Sequence, residues 1–292
     1  MKNLRPSYLG TSLIVLCLLG SNLLSGEIIN IGSHKLEVQA EGRGAPPVVI
    51  DSGLGDGMEK LKPLQDRLSG VTRVVTYNRA GYGQSEPGPL PRDAGREADE
   101  LKAVLDGAGI PGPYILVGHS LGALNMSVFT HKYPELVAGL VLLDPPPLSF
   151  ITGEDFKMLL AMAERMTAQW QIYADQGAES SDPGERARAV FFQTLASEHR
   201  ELFGASARLV SEISSFADIP LIVMAAGRAN PAFGEIAEEY QDYWIEQSRA
   251  FSQKSSDARF ILAETSSHHL YIDVPELVEE AVVSLVQRTR EK

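Results

Sequence analysis

Between residues 46 and 144, short and continuously apolar runs alternate with amphipathic stretches. PPVVIDSG, VTRVVTYN, YILVGHS and AGLVLLD are separated by MEKLKPLQDRL, DAGREADELKAVLDGAG and LGALNMSVFTHKYP. An apolar run of four to six residues without polar alternation suits a strand covered on both faces. Strands of that kind joined by helices can form only a parallel sheet, because each connection must cross back over the sheet. Ahead of the alternation, EIINIG and HKLEVQAEG flank a Gly32-Ser33 turn and read as a hairpin.

The alternation stops after Asp144. Residues 145–218 open with three prolines and continue as helical stretches without a strand candidate. Phe156, Leu159, Leu160, Ala163 and Met166 recur there at helical spacing, a stripe expected to pack into a core. A helical insertion between two strands of one sheet also suits a lid over a site. PLIVMAAG and ARFILAE then return as strands with a helix between them, and PELVEEAVVSLVQRTRE closes the chain with Pro275 in its first turn. The expected division is a first core part at 27–144, a helical cap at 145–218 and a second core part at 219–292.

The bulk composition narrows the partners. Of 292 residues 44% are hydrophobic and 22% charged, as in a folded globular chain. A formal net charge of −12, without a basic cluster, repels nucleic-acid backbones and anionic lipid surfaces. Residues 1–26 differ from the rest. Lys2 and Arg5 precede a largely apolar stretch from Leu9 to Leu24 and then Ser25-Gly26, the pattern of a secretory signal. The expectation is export to the periplasm or medium. The alternative is an anchor left uncleaved over residues 9–24, although that stretch is short of the ~20 residues a spanning helix needs. The one cysteine, Cys17, lies inside this segment, so disulfides, thiolate metal sites and a cysteine nucleophile are not expected beyond it.

The chemistry centres on Gly118-His119-Ser120-Leu121-Gly122, which follows the run YILV and opens a helix. G-x-S-x-G between a strand and a helix places the serine on a strained turn with its hydroxyl clear of the sheet. Side chains two residues to either side would collide, hence the glycines. A serine hydroxyl needs a base to take its proton. Of six histidines, His34, His131 and His199 are expected at the surface or as caps, and His119 within the turn should point away from Ser120. His268 and His269, in SSHHLYIDVPELV after the last strand, are better placed.

These segments together resemble the α/β-hydrolase superfamily along nearly the whole chain after residue 26. YNRAGYGQSEPG is similar to its strand-4 loop, GHSLG to its nucleophile elbow, and HHLYIDVPELV to its histidine loop. The resemblance implies a mostly parallel eight-stranded sheet with helices on both faces and an inserted cap. It places the catalytic histidine seven residues before Pro275, at His268. It also implies an oxyanion hole at Ser52-Gly53-Leu54, with serine where the family commonly has histidine, and with the backbone N–H groups of Leu54 and Leu121 as donors. The family most often carries its acid after the strand that PLIVMAAG resembles, a position that falls on Asn230. Some members keep it one strand earlier, and there GLVLLDPPP offers Asp144. Asp273 is a third candidate, five residues from His268.

The implied activity is a serine hydrolase cleaving a carboxyl ester or related acyl bond of a small molecule through Ser120, His268 and Asp144. Serine at the elbow argues against the related epoxide hydrolases and haloalkane dehalogenases, which use aspartate. An iminopeptidase, a lactonase or a carbon–carbon hydrolase would share every residue named. The apolar content of the insertion, with Phe156, Met162, Met166, Trp170, Phe191 and Phe192, favours an apolar acyl or aromatic group. No cofactor is expected, and outside these roles no pair of ligand-type residues has metal-binding spacing. The competing reading is a catalytically silent domain that binds a ligand or partner, for which Asn230 speaks. The sequence leaves the oligomeric state open.

Overall fold

The computed structural model describes residues 26–147 and 157–291. The signal-like segment with Cys17, and Phe156, lie outside the described residues. Among the described residues no helix is long and apolar enough to cross a membrane.

Eight strands form one sheet: β1 Glu27–Asn30, β2 Lys35–Glu41, β3 Val48–Asp51, β4 Val74–Asn78, β5 Tyr114–His119, β6 Val137–Leu143, β7 Leu221–Ala226 and β8 Ala258–Ala263. Their spatial order is β1-β2-β4-β3-β5-β6-β7-β8. β2 is antiparallel to both β1 and β4, and every other pairing is parallel. The hairpin read from the sequence thus forms the antiparallel edge, and the apolar runs form the parallel centre.

The two-residue period of a strand divides the core into two layers. On β5 and β6, Leu116, Leu140 and Leu142 face one layer, while Ile115, Val117, Val141 and Leu143 face the other. The first layer is covered by α2 Ala94–Gly107, α3 Leu121–Lys132 and α6 Ala205–Glu212, through Leu101, Leu105, Met126, Phe129 and Val210. The second is covered by α1 Met58–Ser69 and α9 Pro275–Arg290, through Leu61, Leu64, Val278, Val282 and Leu285. Because both faces are covered, β3, β4, β5 and β7 are buried at every position.

Between β6 and β7 lie α4 Lys157–Ala178, α5 Pro183–Leu202 and α6. α4 and α5 pack along each other. α5 starts cleanly because Asp182 caps the amide of Glu185 and Pro183 opens the first turn. Residues 194–199 of α5 are buried all round the helix, since this stretch is wedged between the loop after β4 and an internal cavity. α7 Ala237–Ser252 leans on β7 and β8, and the short α8 Leu270–Asp273 follows the histidine loop.

Two histidines expected at the surface are buried instead. His34 turns inward, with Nδ1 2.9 Å from Ser33 Oγ and Nε2 3.5 Å from Glu100. His199 lies on the wedged stretch of α5 and is only 7% exposed. His131 is exposed, as expected. A sequence window cannot reveal an insertion helix buried on all sides by loops distant in the chain.

Candidate active site

Ser120 stands at the carboxyl edge of the sheet, between β5 and α3, with φ 52 and ψ −118. That conformation is costly for a residue with a Cβ. It is held because Ser120 N donates to Leu143 O at 3.0 Å and Ser120 O accepts from Ala123 N at 2.9 Å. The flanking glycines are sterically required. A Cβ on Gly118 would lie 2.4 Å from Gly122 O, and one on Gly122 would lie 2.5 Å from Asp51 O, backbone contacts that no rotamer can relieve.

Asp144 follows β6 directly and also takes a positive φ of 50. Its amide donates to Met224 O at 2.7 Å, extending the β6–β7 ladder by one residue. Its Oδ1 accepts from Ala226 N at 2.9 Å and its Oδ2 lies 2.7 Å from His268 Nδ1. A carboxylate only accepts, so Nδ1 carries the hydrogen and Nε2 of His268 is left with its lone pair. The carboxylate is 4% exposed, whereas the His268 side chain is 36% exposed toward a cavity. Trp244 of α7 stands edge-on to the imidazole with ring centroids 5.6 Å apart.

The other acid candidates are engaged elsewhere. Asn230 Oδ1 accepts from Ala232 N at 3.0 Å, capping the turn that Pro231 opens, and its residue lines the same cavity as His268. Asp273 accepts from Ser267 N at 2.7 Å and faces Arg228 at 3.5 Å. Burial pushes its neighbour His269 below the usual histidine range, and His268 beside it adds to the shift. His269 Nε2 lies 3.7 Å from Asp56.

His119 does more than turn away from Ser120. Its ring is buried beneath the histidine loop, and Nε2 is 2.8 Å from His268 O. A carbonyl only accepts, so Nε2 donates and fixes the backbone that carries the catalytic-type imidazole. Burial, reinforced by His268, drives its pKa well below the ordinary value and keeps the ring neutral.

The Ser52-Gly53-Leu54 loop is held by groups that the sequence did not single out. Arg79 Nη1 donates to Ser52 O at 2.8 Å and to Asp51 Oδ1 at 2.7 Å, and Nη2 donates to Gly53 O at 2.9 Å. Its Nε donates to Glu198 Oε1 of α5 at 2.8 Å. Tyr82 accepts from Gly55 N at 3.1 Å and donates to Glu198 Oε2 at 2.5 Å. Burial opposes the guanidinium charge, but Glu198 and Asp51 outweigh it and raise the pKa of Arg79 well above its usual value. Ser52, in the place where histidine is common, donates to Asp56 O at 2.6 Å and closes the loop itself. The carbonyls of the loop are therefore turned inward. The amides of Leu54 and Leu121 have no acceptor among the described residues, which leaves two unpaired N–H groups beside the elbow. Of these supporting groups, Arg79 lies within the strand-4 loop motif and Asp51 in the run before the glycine loop. Glu198 carries no signal at all in the sequence.

Two cavities meet here. One, of about 200 Å³, is lined by Ser120, Leu124, Leu159, Met162, Leu202 and Phe203 among others, and is overwhelmingly apolar. The other, of about 410 Å³, is lined by Asp144, Arg228, Asn230 and His268. Phe233, Tyr240 and Trp244 form the wall common to both. Among the described residues no cluster of three or more metal-ligating side chains occurs.

Residues 46–250 match the family model of the alpha/beta hydrolase fold. The chain belongs to the α/β-hydrolase family. It is 26% identical over 247 residues to an uncharacterized Bacillus subtilis protein, YqjL, covering 83% of this chain and 84% of that one. It is 31% identical over 147 residues to 2-(acetamidomethylene)succinate hydrolase of Mesorhizobium japonicum, a match spanning half of each chain. In structure this α/β hydrolase is similar to an esterase from Exiguobacterium antarcticum, with TM-score 0.67 and 16% identity over 90% of this chain and 99% of the esterase. The fold and the named relatives support a hydrolase.

Proposed function

We propose that this α/β hydrolase is a serine hydrolase cleaving a carboxyl ester or a related acyl bond. The observation that carries the reading is the 2.7 Å contact of Asp144 with His268 Nδ1, on the same sheet edge as Ser120 in its elbow. Nε2 of His268 takes the Ser120 proton as Oγ attacks the acyl carbon, and the imidazolium that forms is stabilised by Asp144. The oxyanion is received by the amides of Leu54 and Leu121, each contributing roughly 3 to 4 kcal/mol, the cost of deleting a single oxyanion donor in a serine protease. His268 returns the proton to the leaving group, and water then releases the acyl group by the same route.

The two cavities suggest how the substrate lies. The acyl group remains bonded to Ser120 and fills the apolar cavity that this residue lines. The leaving group is protonated by His268 and departs through the second, more polar cavity. This small cavity lined by apolar side chains suits a compact, mostly apolar acyl group. The insertion formed by α4, α5 and α6 acts as the cap over it. The relative named for a succinate acts on a dicarboxylate, but no Lys or Arg is among the described residues lining the apolar cavity, so that substrate class is not carried over. Asn230 caps its own turn while Asp144 stands beside His268, which speaks against reading the domain as catalytically silent. For location we retain export directed by residues 1–26.

Ester turnover separates the acid candidates. Asp144→Asn is expected to lower kcat by about 10⁴-fold, the size of the equivalent exchange in a serine protease, while Asn230→Ala changes it by only a few-fold. The opposite ranking, with both variants folded, would contradict the assignment.

A further inference from the structure

The apolar cavity beside Ser120 is not wholly apolar. Three other lining residues carry polar side-chain atoms: His199, Tyr240 and Trp244. Tyr240 packs its ring between Phe233 and Trp244, with centroids 4.9 and 5.7 Å away. Trp244 Nε1 is sealed from solvent and from the cavity. His199 differs from both. It is 7% exposed and wedged between the rings of Trp170 and Phe203, with centroids 5.0 and 5.1 Å away.

The hydrogen bonds around His199 settle its tautomer. Thr167 Oγ1 lies 2.9 Å from Ala163 O and 2.7 Å from His199 Nδ1. A hydroxyl has one hydrogen and a carbonyl only accepts, so that hydrogen goes to Ala163 O. Thr167 must then accept from His199, and Nδ1 carries the ring hydrogen. Burial lowers the pKa of His199 to about 4, so the second nitrogen gains no proton at neutral pH. Nε2 is therefore a bare acceptor. It has no partner among the described residues, yet it is absent from the sealed partnerless atoms, which leaves it open to the cavity that His199 lines. Once an acyl group displaces water from this cavity, an acceptor left without a donor is costly, and a site built this way discriminates steeply in favour of a ligand that supplies one.

We infer that the acyl group seated in this cavity carries a hydrogen-bond donor, a hydroxyl or an N–H, that meets His199 Nε2. The inference rests on the serine-hydrolase reading and specifies its substrate class: a compact, mostly apolar acyl group with one donor remote from the scissile bond. A plain alkanoyl chain of the same size would leave the acceptor unpaired.

Matched p-nitrophenyl esters test this in the full-length protein. The pairs are 3- and 4-(hydroxymethyl)benzoyl against 3- and 4-ethylbenzoyl, and 6-hydroxyhexanoyl against heptanoyl, so that size is held constant and only the donor changes. In wild type the hydroxyl member of at least one pair is expected to show kcat/KM at least about tenfold above its isostere. His199→Phe, which keeps a ring and removes the acceptor, brings that ratio to one or below, and His199→Gln, which restores an acceptor, keeps it above one. If the hydroxyl member exceeds its isostere in no pair while the isosteres are turned over, the inference is overturned and the serine-hydrolase reading stands. If neither member of any pair is cleaved and Ser120 does not react with a fluorophosphonate, both are overturned.

Discussion

At the residue scale, the informative pair is Asp144 and Asn230. Both are legible in the sequence as candidates, because each ends an apolar run at a place where the family carries an acid. The resemblance favours Asp144, but what the sequence could not supply was the contact that positions it. That depends on β7 presenting Ala226 N to one carboxylate oxygen so that the other is aimed at His268. Ser120 follows β5 and Asp144, which meets His268, follows β6, so both stand at the carboxyl edge of the sheet. His119 reads in the sequence as a bystander, since a contact between residues 149 positions apart leaves no local pattern. Its donor bond to His268 O makes it a positioning residue. His119→Phe is expected to lower kcat by about 10- to 100-fold, the cost of a small misplacement of a reacting group, with KM little changed. An equal loss in kcat and gain in KM would instead place His119 in substrate binding.

At the scale of elements, the strands and helices of the sheet were readable because their periods differ and their ends carry glycine and proline. The insertion was readable only as helices. Its α5 is amphipathic in sequence, yet Glu198 and His199 are both buried, one under Arg79 and the other in the cavity. Glu198 couples the insertion to the oxyanion loop. Removing it leaves the guanidinium of Arg79 buried with Asp51 as its sole anionic partner, and breaking a buried pair in this way costs about 3 to 5 kcal/mol. Glu198→Ala should therefore lower the urea midpoint markedly and reduce kcat as the Ser52–Gly53 carbonyls lose their anchor, whereas Glu198→Gln retains part of both. A normal kcat in folded Glu198→Ala would sever the link between insertion and loop. The elbow makes a separate prediction. Gly122→Ala drives a Cβ to 2.5 Å from Asp51 O and 2.7 Å from Ser52 O, so the folded state should lose on the order of 3 kcal/mol, read as loss of soluble protein or a lowered midpoint.

At the scale of the whole molecule, acid stability follows from histidines kept neutral by burial. His199 has a folded pKa of about 4 against an ordinary 6.5, so below pH 6.5 the unfolded chain binds a proton that the folded one refuses. Stability present above pH 6.5 is lost progressively as pH falls toward 4, by about 3 kcal/mol for this group. His119 acts in the same direction. Urea unfolding at pH 7 and pH 4.5 should show a smaller acid loss in His199→Gln than in wild type, and an unchanged loss would mean that His199 is charged or solvated when folded. The overall architecture was largely legible, since the run of buried strands admits few alternatives. The cavities were not, because one lies between α4, α5 and α7 and the other between α7 and the loops after β6, β7 and β8, whose mutual packing no local pattern encodes. The most direct test of Ser120 as a nucleophile served by His268 and Asp144 is fluorophosphonate labelling followed by mapping of the adduct. Wild type is expected to carry a single adduct on Ser120, Ser120→Ala none, and Asp144→Asn to label more slowly by orders of magnitude. A folded wild-type protein that does not label, or one that labels as fast with asparagine at position 144, would contradict that mechanism.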